Sequence, residues 1–293
     1  MDNIRIIPRL DIKGPNLVKG IHLEGLRVLG KPEKFARYYY ETGADELVYM
    51  DVVASLYGRN SLLHIIEKTA KEIFIPLTVG GGIRTLEDIK QALRAGADKV
   101  ALNTAAINNP DIIRQASLKF GSSTILISIE AIRQEDGRYL CFTDNGREHT
   151  GVDVYEWAQK VAELGAGEIM LTSVDREGTG KGYDIELCKN VTTLVPIPVI
   201  VCGGAGRREH VQEVIEQGKA DAVSFASIIH YDFIKHHPLT EDEFEAEGNL
   251  EHLKRGGHSS KIASDNLMNI KTYLAKQGIP CRCLEQKEAA VKS

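Results

Sequence analysis

Two glycine-rich turns close two apolar runs, IPLTVGGG at residues 75–82 and IPVIVCGG at residues 197–204. Without a Cβ, a glycine amide can turn toward an anion at close range, and a helix starting just after such a turn adds the positive end of its dipole. One apolar run after each turn comes a pair of small residues, Asn103 and Thr104 in the first case and Ala226 and Ser227 in the second. Gly81, Gly82, Asn103 and Thr104 are therefore candidates for one phosphate site, and Gly203, Gly204, Ala226 and Ser227 for another. Two carboxylates, Asp11 closing IRIIPRLD and Glu130 closing TILISIE, are candidates to divide general-acid and general-base work on a ligand stretched between those sites. Taken singly, a glycine triplet equally serves a tight turn and a carboxylate equally caps one. The pairing of both features argues for chemistry.

The elements that must hold these residues repeat. GADELVYMDV (43–52) matches GAGEIMLTSV (165–174), FARYYYETGA (35–44) matches WAQKVAELGA (157–166), and GADKVALNTA (96–105) falls opposite GKADAVSFAS (218–227). Like the two glycine turns, these segments are offset by 122, as from Gly43 to Gly165, which reads as a duplicated half. Eight short, continuously apolar runs (4–11, 46–51, 76–80, 99–103, 124–130, 168–173, 198–202 and 221–226) read as parallel strands covered by helices. Between them lie amphipathic stretches such as TLEDIKQALRAG, with Thr85 as N-cap and Gly96 as the stop. Eight β/α units over this length predict a (β/α)8 TIM barrel of two half-barrels, about 1–122 and 123–285. A doubly wound open sheet is the alternative, but it does not call for a two-fold repeat. In a barrel the C-terminal strand ends carry function, which is where Asp11, Glu130 and both glycine turns fall.

The length and the 43% hydrophobic content allow a sizeable core, and a formal net charge of -5 gives no footprint for nucleic acid. No signal peptide or membrane-spanning run is evident, and five scattered cysteines do not form a disulfide framework, so a cytoplasmic protein with free thiols is expected. His236, His237, Cys281 and Cys283 have loose spacing for zinc. Neither a metal nor a cofactor is expected. Residues 231–266 form a polar insertion after the eighth strand, and the tail, 286–293, has a disordered composition.

RLDIKGPNLVKG, DELVYMDVVAS, VGGGI, GADKVALNTAA, GAGEIMLTSVDREGTGKGYD and GGAG together resemble the cyclase subunit family of imidazole glycerol phosphate synthase. The resemblance runs to about His230 and resumes from about Asn269 to Leu284. It implies a bis-phosphorylated aminoimidazole ribotide as substrate, ammonia supplied by a class I glutaminase subunit at the N-terminal face of the barrel, and two catalytic carboxylates matching Asp11 and Glu130. It also implies an ammonia gate of Arg5, Glu46, Lys99 and Glu168, and places Glu177 and Gly178 beside the second phosphate. Read from the residues alone, those four charges could equally be a salt-bridged floor.

Several positions depart from the family. Glu130 and Glu177 stand where aspartates are usual, Val53 replaces a threonine, Cys202 a serine, and Pro8 and Arg9 replace small residues. The extra methylene of Glu130 displaces its carboxylate by about 1 Å, enough to cost about 100-fold in rate. Arg9 shares a strand face with Asp11 and needs a partner inside the barrel, for which Glu130 is the candidate. These changes resemble a paralogue found in surface-polysaccharide gene clusters, where ammonia goes to a separate ATP-dependent amidotransferase that amidinates a nucleotide sugar. An authentic cyclase with relaxed site residues is the alternative.

Overall fold

The computed structural model describes residues 3–54, 62–237 and 262–283. Its centre is a closed barrel of eight parallel strands: β1 (Arg5–Lys13), β4 (Leu47–Asp51), β5 (Leu77–Gly80), β6 (Lys99–Leu102), β7 (Ile125–Arg133), β10 (Glu168–Ser173), β11 (Val199–Cys202) and β12 (Ala222–Phe225). Pairing of β10 with β7 and of β12 with β1 closes the circle. Each predicted strand is present within a few residues of its expected bounds.

Helices α1 (Pro32–Glu41), α2 (Leu63–Ala70), α3 (Leu86–Ala95), α4 (Thr104–Asn108), α5 (Asp111–Phe120), α6 (Val154–Glu163), α7 (Ile185–Leu194), α8 (Arg208–Glu216), α9 (Ser227–His236) and α10 (Leu267–Lys276) follow the strands. Thr85 caps α3 in a reciprocal box with Asp88, and Gly96 ends it at φ +114°, a left-handed angle that glycine adopts without strain. No helix among the described residues is long and apolar enough to cross a membrane.

Four antiparallel strands lie outside the eightfold pattern. β2 (Asn16–Ile21) and β3 (Glu24–Gly30) form a hairpin on β1, and β8 (Tyr139–Thr143) and β9 (Glu148–Asp153) form one on β7. The sequence pattern did not expose them, because β2, β3 and β9 carry glycines and charges that read as loop, and β8 on its own is a run of only five residues.

Register refines the repeat. Asp11 pairs with Met50, and Glu130 pairs with Thr172, which lies 122 residues after Met50, so the two carboxylates are structural equivalents although only 119 apart. Thr78 pairs with Lys99 while its counterpart Ile200 pairs with Ala222, an offset of 123 between β6 and β12. The uniform offset of 122 is thus corrected. The extra residue is Lys219, which bulges at φ +58° between Gly218 and Ala220.

Two cores follow from strand parity. One lies between barrel and helices. The smaller one fills the barrel interior with Ile7, Val48, Leu126, Met170, Ile200 and Ala222. Below that apolar layer lie Arg5, Glu46, Lys99 and Glu168, and above it come Arg9, Asp11 and Glu130.

Candidate functional site

At the N-terminal mouth, parity brings four charges from four strands into one ring. Arg5 donates to Glu46 Oε1 at 2.8 Å and to Glu168 Oε1 at 2.7 Å. Lys99 Nζ donates to Glu46 Oε2 at 3.0 Å and to Glu168 Oε2 at 2.9 Å. Each cation bonds both glutamates, so the barrel floor is shut by a four-membered ring of alternating charge. Burial works against the Arg5 charge, but Glu168 and Glu46 together hold its pKa above the ordinary value.

At the opposite mouth, the site residues divide into two groups. The first glycine turn, Asn103 and Thr104 line a cavity of about 210 Å³ together with Asp51 and Glu130. Gly81 and Gly82 take φ +90° and +70°, and a Cβ on Gly82 would stand 2.6 Å from that of Ala54. These glycines, Asn103 and Thr104 are all partly exposed, so this half of the mouth is open. Asn103 is steadied by its amide bond to the Phe142 carbonyl at 3.2 Å, an anchor supplied by the β8–β9 hairpin. Glu130 forms the inner wall and accepts from the Gly146 amide at 2.7 Å. Burial pushes its pKa up to about 7, with Arg9 and the Gly146 bond acting in the opposite direction. A carboxyl poised near neutrality is equipped to exchange a proton.

The second group is closed. Arg9 Nε donates to Asp11 Oδ1 at 2.8 Å, both side chains being almost fully buried. The remaining guanidinium crosses the lumen to Thr172 Oγ1 at 3.3 Å and Cys202 Sγ at 3.7 Å. The partner of Arg9 is therefore Asp11, not Glu130 as expected from the sequence: residues two apart on one strand face meet directly. Burial alone would raise the Asp11 pKa, but Arg9 and Lys19 bring it below its ordinary value. Burial raises that of the Cys202 thiol.

Lys19, on β2, was not singled out from the sequence; a lone lysine in a short strand carries no periodic signal. It pairs with Glu177 and lies 3.9 Å from Asp11 Oδ2. Burial opposes its charge, yet Glu177 and Asp11 hold its pKa above the ordinary value. Glu177 Oε2 lies 3.3 Å from where a Cβ of Gly203 would stand, so the carboxylate rests over the second glycine turn. Gly203, Gly204, Ala226 and Ser227 are all buried, and Gly178 is partly so. Residues 178–182 lie flat on that turn: the Gly182 amide donates to the Gly204 carbonyl at 2.8 Å, and a Cβ on Gly204 would stand 2.2 Å from the Gly182 oxygen.

The described end of the insertion reaches the same place. Ala263 donates to the Gly206 carbonyl at 2.8 Å, and Asp265 to that of Ile228 at 3.1 Å. Behind Asp11 and Lys19, buried His230 meets the Tyr39 hydroxyl at 2.6 Å, and burial with the Lys19 charge lowers its pKa to about 3, leaving it neutral. Residues 238–261 of the insertion, and the tail, lie outside the described residues. His236 and His237 sit at the end of α9 and Cys281 and Cys283 beyond α10; no metal-holding cluster of His, Cys, Asp or Glu occurs among the described residues.

The model of the family described as histidine biosynthesis protein matches residues 5–235, ending as the insertion begins. A relative named imidazole glycerol phosphate synthase subunit HisF, from Legionella pneumophila, is 60% identical over 209 residues, covering 71% of this chain and 99% of the relative. The chain belongs to the HisF family of histidine biosynthesis enzymes.

Proposed function

We propose that the chain is the ammonia-accepting barrel subunit of a glutamine amidotransferase. The single observation carrying this reading is the ring of Arg5, Glu46, Lys99 and Glu168, which closes the floor beneath an apolar lumen. A stability floor would not need four charges converging on the axis, where neutral ammonia has to pass. A class I glutaminase subunit of the HisH type would dock on that face, and a phosphorylated small molecule would sit at the opposite mouth. Gly81, Gly82, Asn103 and Thr104 would hold a phosphate there, with Asp11 and Glu130 as the ionisable pair.

The chemistry at that mouth is best read as ammonia delivery for amidination of a nucleotide sugar in surface-polysaccharide synthesis, with a separate ATP-dependent amidotransferase as the acceptor. Arg9 supports this: it ties up Asp11, the carboxylate that a cyclase needs free, and spans the lumen. The second reading, an authentic cyclase forming imidazole glycerol phosphate and AICAR in histidine biosynthesis, is favoured by the printed name of the relative. Incubating the purified chain with the bis-phosphorylated ribotide and excess ammonium separates them. No imidazole product is expected; steady turnover establishes the cyclase.

A further inference from the structure

The cavity at the first glycine turn is walled by the carboxyl groups of Asp51, Glu130 and Asp144, and Arg84 is the one cationic side chain among its described lining residues. A phosphate dianion entering it brings negative charge toward that wall. The amides of Gly81 and Gly82 offer partial charges only, and the Asn103 amide already donates to the Phe142 carbonyl. Acceptance of the anion therefore turns on a full positive charge, best supplied by paired N–H groups that match two phosphate oxygens.

Arg84 meets this need. Its Nε donates to the Gly82 carbonyl at 3.4 Å, which lays the guanidinium against the turn. No carboxylate among the described residues pairs with that guanidinium, so Nη1 and Nη2 remain for a ligand. The head is exposed, but the backbone beneath it is fixed: the Arg84 and Thr85 amides both donate to Asp88 Oδ2 at 2.9 Å, within the box that caps α3.

The repeat adds an independent argument. The mate of Arg84, 122 residues on, is Gly206, where a Cβ would stand 2.3 Å from the Gly180 oxygen and no side chain fits. The reverse exchange occurs one loop earlier. Ala54 lies against Gly82, while its mate Arg176 has its Cβ 3.1 Å from where that of Gly204 would stand. Each half thus sets one arginine beside its glycine turn, after β5 in the first and after β10 in the second. The two arginines are not copies of one another; what the halves share is a cation at the turn.

We propose that Arg84 is the counter-ion of the first phosphate site, a specificity residue whose guanidinium holds a dianionic phosphomonoester end over Gly81 and Gly82. This inference rests on the reading of the mouth as a phosphorylated-ligand site, and it names the group that lets an acidic cavity take an anion.

Titration calorimetry of the full chain with glycerol 3-phosphate at low salt tests it. Gly82→Val, which drives a side chain into Ala54 at a left-handed φ, identifies the binding that belongs to the first turn. Arg84→Ala should weaken that same binding by about tenfold, as expected for loss of a charge-assisted contact at an exposed site, and should leave the denaturation midpoint unchanged. Arg84→Lys keeps the charge without the paired donors and should fall between the two. Added salt should weaken binding by the wild-type chain more steeply than by Arg84→Ala. Affinity of Arg84→Ala within about twofold of the wild type, or a deficit that salt does not narrow, would overturn the proposal. A wild-type chain that binds no monoester, or one whose binding survives Gly82→Val intact, would instead overturn the underlying phosphate reading.

Discussion

Glu130 and Asp11 occupy equivalent strand positions yet have opposite electrostatic fates. Asp11 sits between two cations and is held ionised; Glu130 has one backbone amide and a distant guanidinium, and burial dominates. The consequence appears in stability. Below the unfolded value of 4.5 both states are protonated and Glu130 contributes nothing. As pH rises from there toward 7, the unfolded chain releases its proton first, so the folded state loses stability, reaching about 3 kcal/mol above pH 7. Glu130→Gln, which can still accept from Gly146, should therefore gain on the wild type by about 3 kcal/mol between pH 4.5 and 8. Urea unfolding at both pH values checks this, and a pH-independent difference would contradict it.

The elements show why much of this fold was legible and part of it was not. Short continuous apolar runs rich in β-branched residues read as strands buried on both sides, and two sets of four of them make the eight of a barrel. The hairpins escaped because β2, with buried Asn16 and Lys19, reads as a polar loop, although it supplies the cation that pairs with Glu177. The charged ring was visible as strand-starting residues, but its closure depends on parity around the barrel. The partner of Arg9 was missed for the same reason in reverse: the i, i+2 contact lies within one strand, while attention to the opposite wall favoured Glu130. Lys219 marks another limit. Its one-residue slip leaves Asp98 and Asp221 in matching roles, each accepting from the first amide of the preceding strand, Leu77 at 2.9 Å and Val199 at 2.8 Å. The left-handed backbone at Lys219 carries a strain that glycine does not feel, so Lys219→Gly should raise stability by about 1 kcal/mol. A higher denaturation midpoint at unchanged slope verifies that, and a lower midpoint refutes it. At Thr85 the argument runs the other way. Loss of the hydroxyl in Thr85→Ala orphans the Asp88 amide and should cost about 1 kcal/mol by the same measurement.

Across the whole molecule, duplication supplies a two-fold frame that the residues break at the upper mouth and keep only in part at the floor. Glu46 and Glu168 are repeat mates 122 apart, whereas Arg5 and Lys99 stand opposite Thr124 and Ala222 in the repeat, so the carboxylates of the ring keep the two-fold frame and the cations that bridge them do not. Because each cation bridges both glutamates, removal of one leaves two carboxylates sharing the other, and the floor opens on one side. For a gate, Lys99→Ala should uncouple the barrel from its glutaminase. Product formed from glutamine should fall by about tenfold, equivalent to about 1.4 kcal/mol in a barrier, while product formed from added ammonium stays at the wild-type level because it enters from solvent. For a salt-bridged floor that only stabilises, both outputs would fall together with the melting temperature. Lys99→Arg, which keeps charge and reach, should restore most of the glutamine-driven output. Recovery of stability without recovery of coupling would show that the ring supports the barrel rather than gating it.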